Sequence, residues 1–159
     1  MKTIILVRHA KAEEKTTPDR DFNRILNKKG IGDAGKLGKW LKSNITLPDC
    51  IISSPAARAF QTAEIVQREI RFPGIVSTDE KIYCDSADDL IDVIKKLPEK
   101  YRNVMIVGHN PSFNELMHYL CDTGIDNIPK AAAAAIQVSE KWREISQKCG
   151  RMLFLEKPR

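Results

Sequence analysis

The sequence is poor in the features that mark most specialised chemistries. It has three histidines and four cysteines, and the cysteines (Cys50, Cys84, Cys121 and Cys149) are scattered with no Cys-x-x-Cys pair. Reduced, incidental thiols are therefore expected, with neither a disulfide framework nor a zinc site. No apolar stretch approaches the roughly 20 residues that a membrane span requires. The apolar run after Met1 and Lys2 is too short for a signal-peptide core and has no small-residue cleavage site. A cytoplasmic protein with no membrane partner is expected. There is no P-loop, no Asp-x-Asp at a strand end and no His-Glu-x-x-His, so no metal and no other cofactor is expected. Internal repeats, low-complexity tracts and linkers are also missing.

What is present fits one domain covering residues 1–159. Hydrophobic residues make up 42% of the chain and charged residues 30%, as in a globular protein with a proper core. The net charge of +5 comes from 26 basic and 21 acidic residues. The lysines are interspersed with acids and no aromatic-basic motif accompanies them, so no nucleic-acid partner is expected. A generally basic surface accounts for most lysines. It leaves a few arginines for a specific anionic task.

Short β-branched runs stand at Thr3–Val7, Cys50–Ile52, Ile75–Ser77 and Val104–Val107, with weaker ones near Ala134–Val138 and Met152–Leu155. Segments of helical period lie between most of them. Ala56–Ile70 carries Ala59, Ala63, Val66 and Ile70 on one face; Ser86–Leu97 carries Leu90, Val93, Ile94 and Leu97; Ser112–Cys121 carries Phe113, Leu116, Met117 and Leu120. Ser112-Phe-Asn-Glu115 fits a capping box, and Ser86-Ala-Asp-Asp89 resembles one. This alternation predicts an α/β fold with a largely parallel central sheet.

Gly30-Ile-Gly-Asp-Ala-Gly35 satisfies G-x-G-x-x-G, but no strand delivers it, because Asp21–Lys29 is polar. It reads instead as a glycine-rich helix start, with Ile31, Ala34, Leu37 and Leu41 packing inward and Lys36, Lys39 and Lys42 in water.

Ligands of open α/β sheets bind beyond the carboxyl ends of parallel strands. Arg8 and His9 follow the first expected strand. Ser53-Ser54-Pro55 follows the second, with Arg58 one turn into the next helix. Gly108-His109-Asn110-Pro111 follows the fourth. Any one of these alone is an ordinary solvated loop residue; it is the shared setting that sets His9 and His109 apart. His118, opposite an apolar face, reads as a surface residue. Ser54 and Pro55 fit an N-cap and first helical position, which would turn free backbone N–H groups toward the same place.

Phosphoryl transfer suits this set. Arginine offers a planar fork of donors and a permanent charge for the phosphoryl oxygens. Imidazole is an uncharged nucleophile near neutral pH. The acids Asp85, Asp88 and Asp89 fall at a helix start, where cap and dipole effects explain them.

The motifs then resemble a known family. Leu6-Val-Arg-His-Ala10 is similar to the Arg-His signature of the histidine phosphatase (phosphoglycerate mutase-like) superfamily. Ile52-Ser-Ser-Pro-Ala-Ala-Arg-Ala-Phe-Gln-Thr-Ala63 resembles its second arginine segment and Val107-Gly-His-Asn-Pro111 its second histidine segment. Asp21–Gly30 falls where the family has an Asp…Leu-x-x-x-Gly stretch. The short chain, Arg-His-Ala and Gly-His-Asn-Pro resemble the SixA-type phosphohistidine phosphatases. The resemblance implies a three-layer α/β sandwich with helices on both faces of the sheet. It makes His9 the nucleophile and Arg8, Arg58 and His109 the phosphoryl-binding pocket, with Ser54 and Asn110 as further contributors.

Larger relatives place a glutamate general acid after the third strand. Here that segment offers Asp79, Glu80 and Asp85, none at a convincing motif position. An alkoxide leaves poorly without a proton, whereas imidazole, whose conjugate acid has a pKa of about 6.5, leaves readily. The missing acid favours a phosphohistidine substrate. The Asp79–Val104 connection has room for one helix and no large lid, which suits a phosphohistidine-bearing protein partner better than an enclosed metabolite. The alternatives are a small-molecule phosphomonoesterase using Glu80 or Asp85 as acid, and a catalytically inactive phosphoprotein-binding module.

Overall fold

The structure is a computed structural model that describes residues 1–14, 18–83, 86–138 and 141–159. The β-branched runs become strands β1 (Lys2–Arg8), β2 (Cys50–Ser53), β3 (Ser77–Thr78), β4 (Asn103–Gly108), β5 (Ala133–Val138) and β6 (Arg151–Glu156). The helices are α1 (Lys28–Asn44), α2 (Ala57–Ile70), α3 (Ala87–Lys95) and α4 (Ser112–Leu120). The strands form one sheet in the order β3-β2-β4-β1-β5-β6. The first four in that order run parallel, while β5 is antiparallel to β1 and β6 to β5. The sheet is thus mixed, with its parallel part in the half that carries the expected strand ends.

The two-residue period of a strand sorts its side chains between two helical layers. Ile4 and Leu6 of β1, with Val104 and Ile106 of β4, pack among Leu90, Ile94, Phe113 and Leu116 of α3 and α4. Ile5 and Val7, with Met105 and Val107, face the other way, onto Leu37 and Leu41 of α1 and Ala63 and Val66 of α2. Both faces of the central strands are covered, which is why β1 and β4 read as unbroken apolar runs. The alanines of β5 follow the same rule, with Ala134 on the α3/α4 side and Ala133 and Ala135 on the α1/α2 side.

Three local expectations are corrected. The third strand lies later than Ile75–Ser77 and is only Ser77–Thr78, paired with Ile52 and Ser53; Ile75 is 86% exposed. Propensity marks where a strand could form, but only the last two of the four β2 residues pair with this segment. Ile31 is 47% exposed. The buried stripe of α1 is Gly30, Ala34, Leu37, Gly38 and Leu41, one position away from the expected register at its start. The reason is Gly30, where a Cβ would stand 2.0 Å from the carbonyl oxygen of Lys11. That close approach fixes which face of α1 turns inward.

The capping box at α4 does not form either. Pro111 holds the N-cap position, after a cis Asn110–Pro111 bond. Ser112 Oγ donates to the His109 carbonyl at 3.0 Å. The Glu115 carboxylate turns away to accept from the backbone N–H of Ala87 at 3.1 Å, and so caps α3 instead. Among the described residues no helix is long and apolar enough to cross a membrane.

Candidate active site

Because β4 lies between β1 and β2, the carboxyl ends of these three strands are side by side. Their ladder runs one residue further: His9 N–H donates to Gly108 at 3.0 Å and Ser54 N–H to Val107 at 2.9 Å. This brings Arg8, His9, Ser54 and His109 to one edge, and Arg58 joins them from the first turn of α2. On the far side of β1 the Ala131 N–H, in a left-handed conformation with φ 57°, donates to the carbonyls of Arg8 and His9. An alanine held there indicates a tightly determined turn.

His9 is 7% exposed, and its Nδ1 lies 2.8 Å from the Ala10 carbonyl oxygen. A carbonyl only accepts, so Nδ1 carries the proton and Nε2 keeps its lone pair. The backbone around this bond is held from α2. Ala10 N–H donates to Thr62 Oγ1 at 3.1 Å, and that hydroxyl donates to the Arg58 carbonyl at 2.7 Å. The His109 ring lies 5.2 Å from that of His9, and its Nε2 is hydrogen-bonded to Ser54 Oγ at 2.8 Å. Burial pushes the His9 imidazole down to about 4; the Ala10 bond opposes this, and the charges of Arg58 and Arg8 reinforce it. His109 is pushed down to about 3, again by burial first and then by His9 and Arg58. Both rings are therefore neutral at physiological pH.

Arg8 donates through Nη1 to the Ile128 carbonyl at 3.0 Å. Arg58, 6% exposed, donates to the Asp21 carbonyl at 2.8 Å through Nη1 and to Asp21 Oδ2 at 3.1 Å through Nη2. Asp21 also accepts from Arg24 at 2.8 Å and from the Tyr83 hydroxyl at 2.7 Å. Burial acts to raise the Asp21 carboxyl, but the Tyr83 and Arg24 hydrogen bonds and the arginine charges outweigh it and hold it well below the usual carboxylate range. Arg8, Arg24, Lys11 and Arg58 lie close enough to Lys130 that burial and then these four cations depress its ammonium.

Among the described residues, the buried side-chain nitrogens left without a hydrogen-bond partner are Arg8 Nε, Arg58 Nε and His109 Nδ1. All three belong to this cluster. An open buried donor costs about 1–3 kcal/mol. A small oxyanion would satisfy the two arginine donors, and His109 Nδ1 in the tautomer in which Ser54 Oγ donates to Nε2, and match the surplus positive charge.

Other expected site residues are placed differently. Asn110 donates to the Asn127 side chain at 3.1 Å and to the Ile128 carbonyl at 3.0 Å, and accepts from the Asn114 N–H at 3.1 Å. Its amide thus secures the carbonyl that holds Arg8. Ser54 is not the N-cap of α2, which begins at Ala57 with Ala56 before it. Its hydroxyl accepts from the Ala56 N–H at 3.2 Å and is thereby aimed at His109. Glu80 is exposed, in a 3-10 turn over Glu80–Ile82. Asp85 lies outside the described residues. Sequence reasoning did not single out Asp21 as the partner of Arg58, nor Tyr83. A buried arginine implies a counter-charge, and Asp21 is an acid of the polar segment between β1 and α1.

A sequence model of the histidine phosphatase superfamily (branch 1) matches residues 4–82. An uncharacterised protein of Mycobacterium tuberculosis is 27% identical over 165 residues, covering 96% of this chain and all of that protein. A structure from Agrobacterium tumefaciens, proposed to be the phosphohistidine phosphatase SixA, is 26% identical with a TM-score of 0.81, covering 99% of this chain and 98% of that one. A mycobacterial glucosyl-3-phosphoglycerate phosphatase shares the fold at 14% identity and a TM-score of 0.70, covering 96% of this chain and 97% of its own.

Proposed function

Because the chain belongs to the histidine phosphatase superfamily, we propose that it is a phosphatase with a covalent phospho-His9 intermediate, and that its substrate is phosphohistidine carried on another protein. The observation that carries this reading is the His9 tautomer. With Nδ1 bound to the Ala10 carbonyl, Nε2 is the free lone pair, among buried donors suited to phosphoryl oxygens.

In the first step His9 Nε2 forms a bond to phosphorus while the bond to the leaving nitrogen breaks, its electron pair going to the leaving imidazole, which takes up a proton. In the second, the oxygen of water bonds to phosphorus and the Nε2–P bond breaks, returning neutral His9 and inorganic phosphate. Arg8, Arg58 and His109 hold the equatorial oxygens, whose charge these side chains stabilise without a metal ion. Ser54 orients His109, and Asn110 steadies Arg8 through the Ile128 carbonyl. Glu80 is exposed, and an imidazole leaving group does not require its help.

The test is phosphate release from a phosphohistidine-bearing carrier protein against a panel of phosphomonoesters, all in excess chelator. Preference for the carrier protein is expected. Preference for a monoester would move the reading to a small-molecule phosphomonoesterase, a class represented among proteins of this fold; loss of a bell-shaped pH profile on removing Glu80 or Asp85 would then identify the acid. No turnover on any substrate would leave a phosphoprotein-binding module.

A further inference from the structure

Tyr83 follows the 3-10 turn over Glu80–Ile82 and is fixed on three sides. Its hydroxyl donates to Asp21 Oδ2, the same oxygen that pairs with Arg58. Its ring meets that of His109 edge-on, with centroids 5.4 Å apart and planes at 64°. Phe22 also meets it edge-on, with centroids 5.3 Å apart and planes at 71°. The Arg58 guanidinium carbon lies 6.0 Å from the Tyr83 ring centroid. Tyr83 therefore touches two of the residues proposed to grip the phosphoryl group, yet 39% of it remains exposed, as does 39% of Phe22. An aromatic wall runs from buried His109 out to solvent.

This wall has no task in holding a phosphoryl group, since the Tyr83 hydroxyl is already committed to Asp21. What it has left to offer is apolar ring surface at the mouth of the site. In an in-line transfer the leaving group departs from the side of phosphorus opposite the nucleophile. His9 is 7% exposed, whereas Tyr83, against the neighbouring His109 ring, is 39% exposed, which puts Tyr83 on the solvent side of the cluster. From these positions we propose that Tyr83 is a specificity-determining residue, its ring packing on a flat aromatic leaving group and favouring a phosphoryl group carried on a ring over one carried on an alkyl chain. The proposal rests on the phosphatase reading above and deepens it: the imidazole of phosphohistidine is such a ring. The fixed Tyr83 side chain loses little freedom when it receives the ring, and an aromatic pair attracts beyond its buried area alone.

Four small substrates separate the ring from the bond that breaks: free phosphohistidine (ring, P–N), phosphoramidate (no ring, P–N), phenyl phosphate (ring, P–O) and ethyl phosphate (no ring, P–O). Relative to Tyr83→Phe, which shares the loss of the hydroxyl bond to Asp21, Tyr83→Leu and Tyr83→Ala are expected to lower kcat/KM by about five- to tenfold for the two ring substrates, and by less than about twofold for the two without a ring. Tyr83→Phe, which keeps the ring and loses the hydroxyl, is expected to keep the ring preference even if all four rates fall together. Should Tyr83→Ala fail to fold, the Leu and Phe variants decide. Equal losses on all four substrates in the Leu variant, or none on the ring substrates, would overturn the proposal while leaving the phosphatase reading intact. A wild-type protein inactive on all four and on the carrier protein would overturn both.

Discussion

At the scale of single residues, the site works by leaving bonds unmade. His9 has one nitrogen committed to a carbonyl and one free, and Arg8, Arg58 and His109 each keep a buried nitrogen open. Arg58 shows why residue type matters as much as charge. Each terminal nitrogen gives one N–H to Asp21, while the buried Nε has no hydrogen-bond partner. A lysine is a point charge without the planar fork that spans Asp21 and a phosphoryl oxygen together. Arg58→Lys is therefore expected to lower kcat/KM about a hundredfold or more while the protein stays folded, as checked by steady-state kinetics beside circular dichroism. A loss under threefold would show that a point charge suffices there.

At the scale of elements, two predictions follow from contacts between segments distant in sequence. Glu115→Ala removes the carboxylate that accepts from Ala87 N–H, so it should loosen the start of α3 and not that of α4, at a cost of about 1 kcal/mol. Hydrogen exchange would show faster exchange around Ala87–Leu90; faster exchange confined to α4 would contradict the assignment. Gly30→Ala places a methyl against the Lys11 carbonyl, two residues from His9, and should cost about 1–3 kcal/mol in urea unfolding; an unchanged midpoint would show that the contact relaxes freely. These are also the places where the sequence was least informative. Strands β1 and β4 and the inward faces of α2, α3 and α4 were legible because burial on both sides of a sheet, or along one stripe of a helix, leaves a local period. Arg8, His9, Arg58 and His109 were legible as a group because alternation makes the strands parallel and brings their carboxyl ends to one edge of the sheet; that β4 lies between β1 and β2 was not. The roles of Glu115, Gly30, Asp21 and Tyr83 depend on partners 19 to 62 positions away, and no local pattern encodes such contacts. The Ser112–Glu115 spacing matched a local motif and was overridden by a tertiary bond.

At the scale of the whole molecule, the same burial that readies the histidines makes the fold sensitive to acid. His9 and His109 titrate near 4 and 3 when folded, against 6.5 for an ordinary imidazole. Between those limits the unfolded chain binds more protons than the folded one, so stability is fully present above about pH 6.5 and falls as pH drops through the window. Asp21, also depressed, adds to the loss below the usual carboxylate range. Urea unfolding midpoints should fall steadily from pH 7 to pH 4, and His109→Gln should flatten that slope. An equal slope in the variant would remove His109 from the account. We propose that residues 1–159 unfold as one domain; coincident far- and near-ultraviolet transitions in the same titrations are expected, and separated ones would contradict it.

The measurement that tests the central claim most directly is intact-mass and peptide analysis after mixing the protein with excess phosphoramidate and quenching in alkali, where phosphohistidine survives. One phosphoryl group on His9 is expected within the time of a single turnover, with none on the His9→Ala variant, which should also release no phosphate. Continued phosphate release by His9→Ala, or a phosphoryl group found on another residue in its place, would contradict the account.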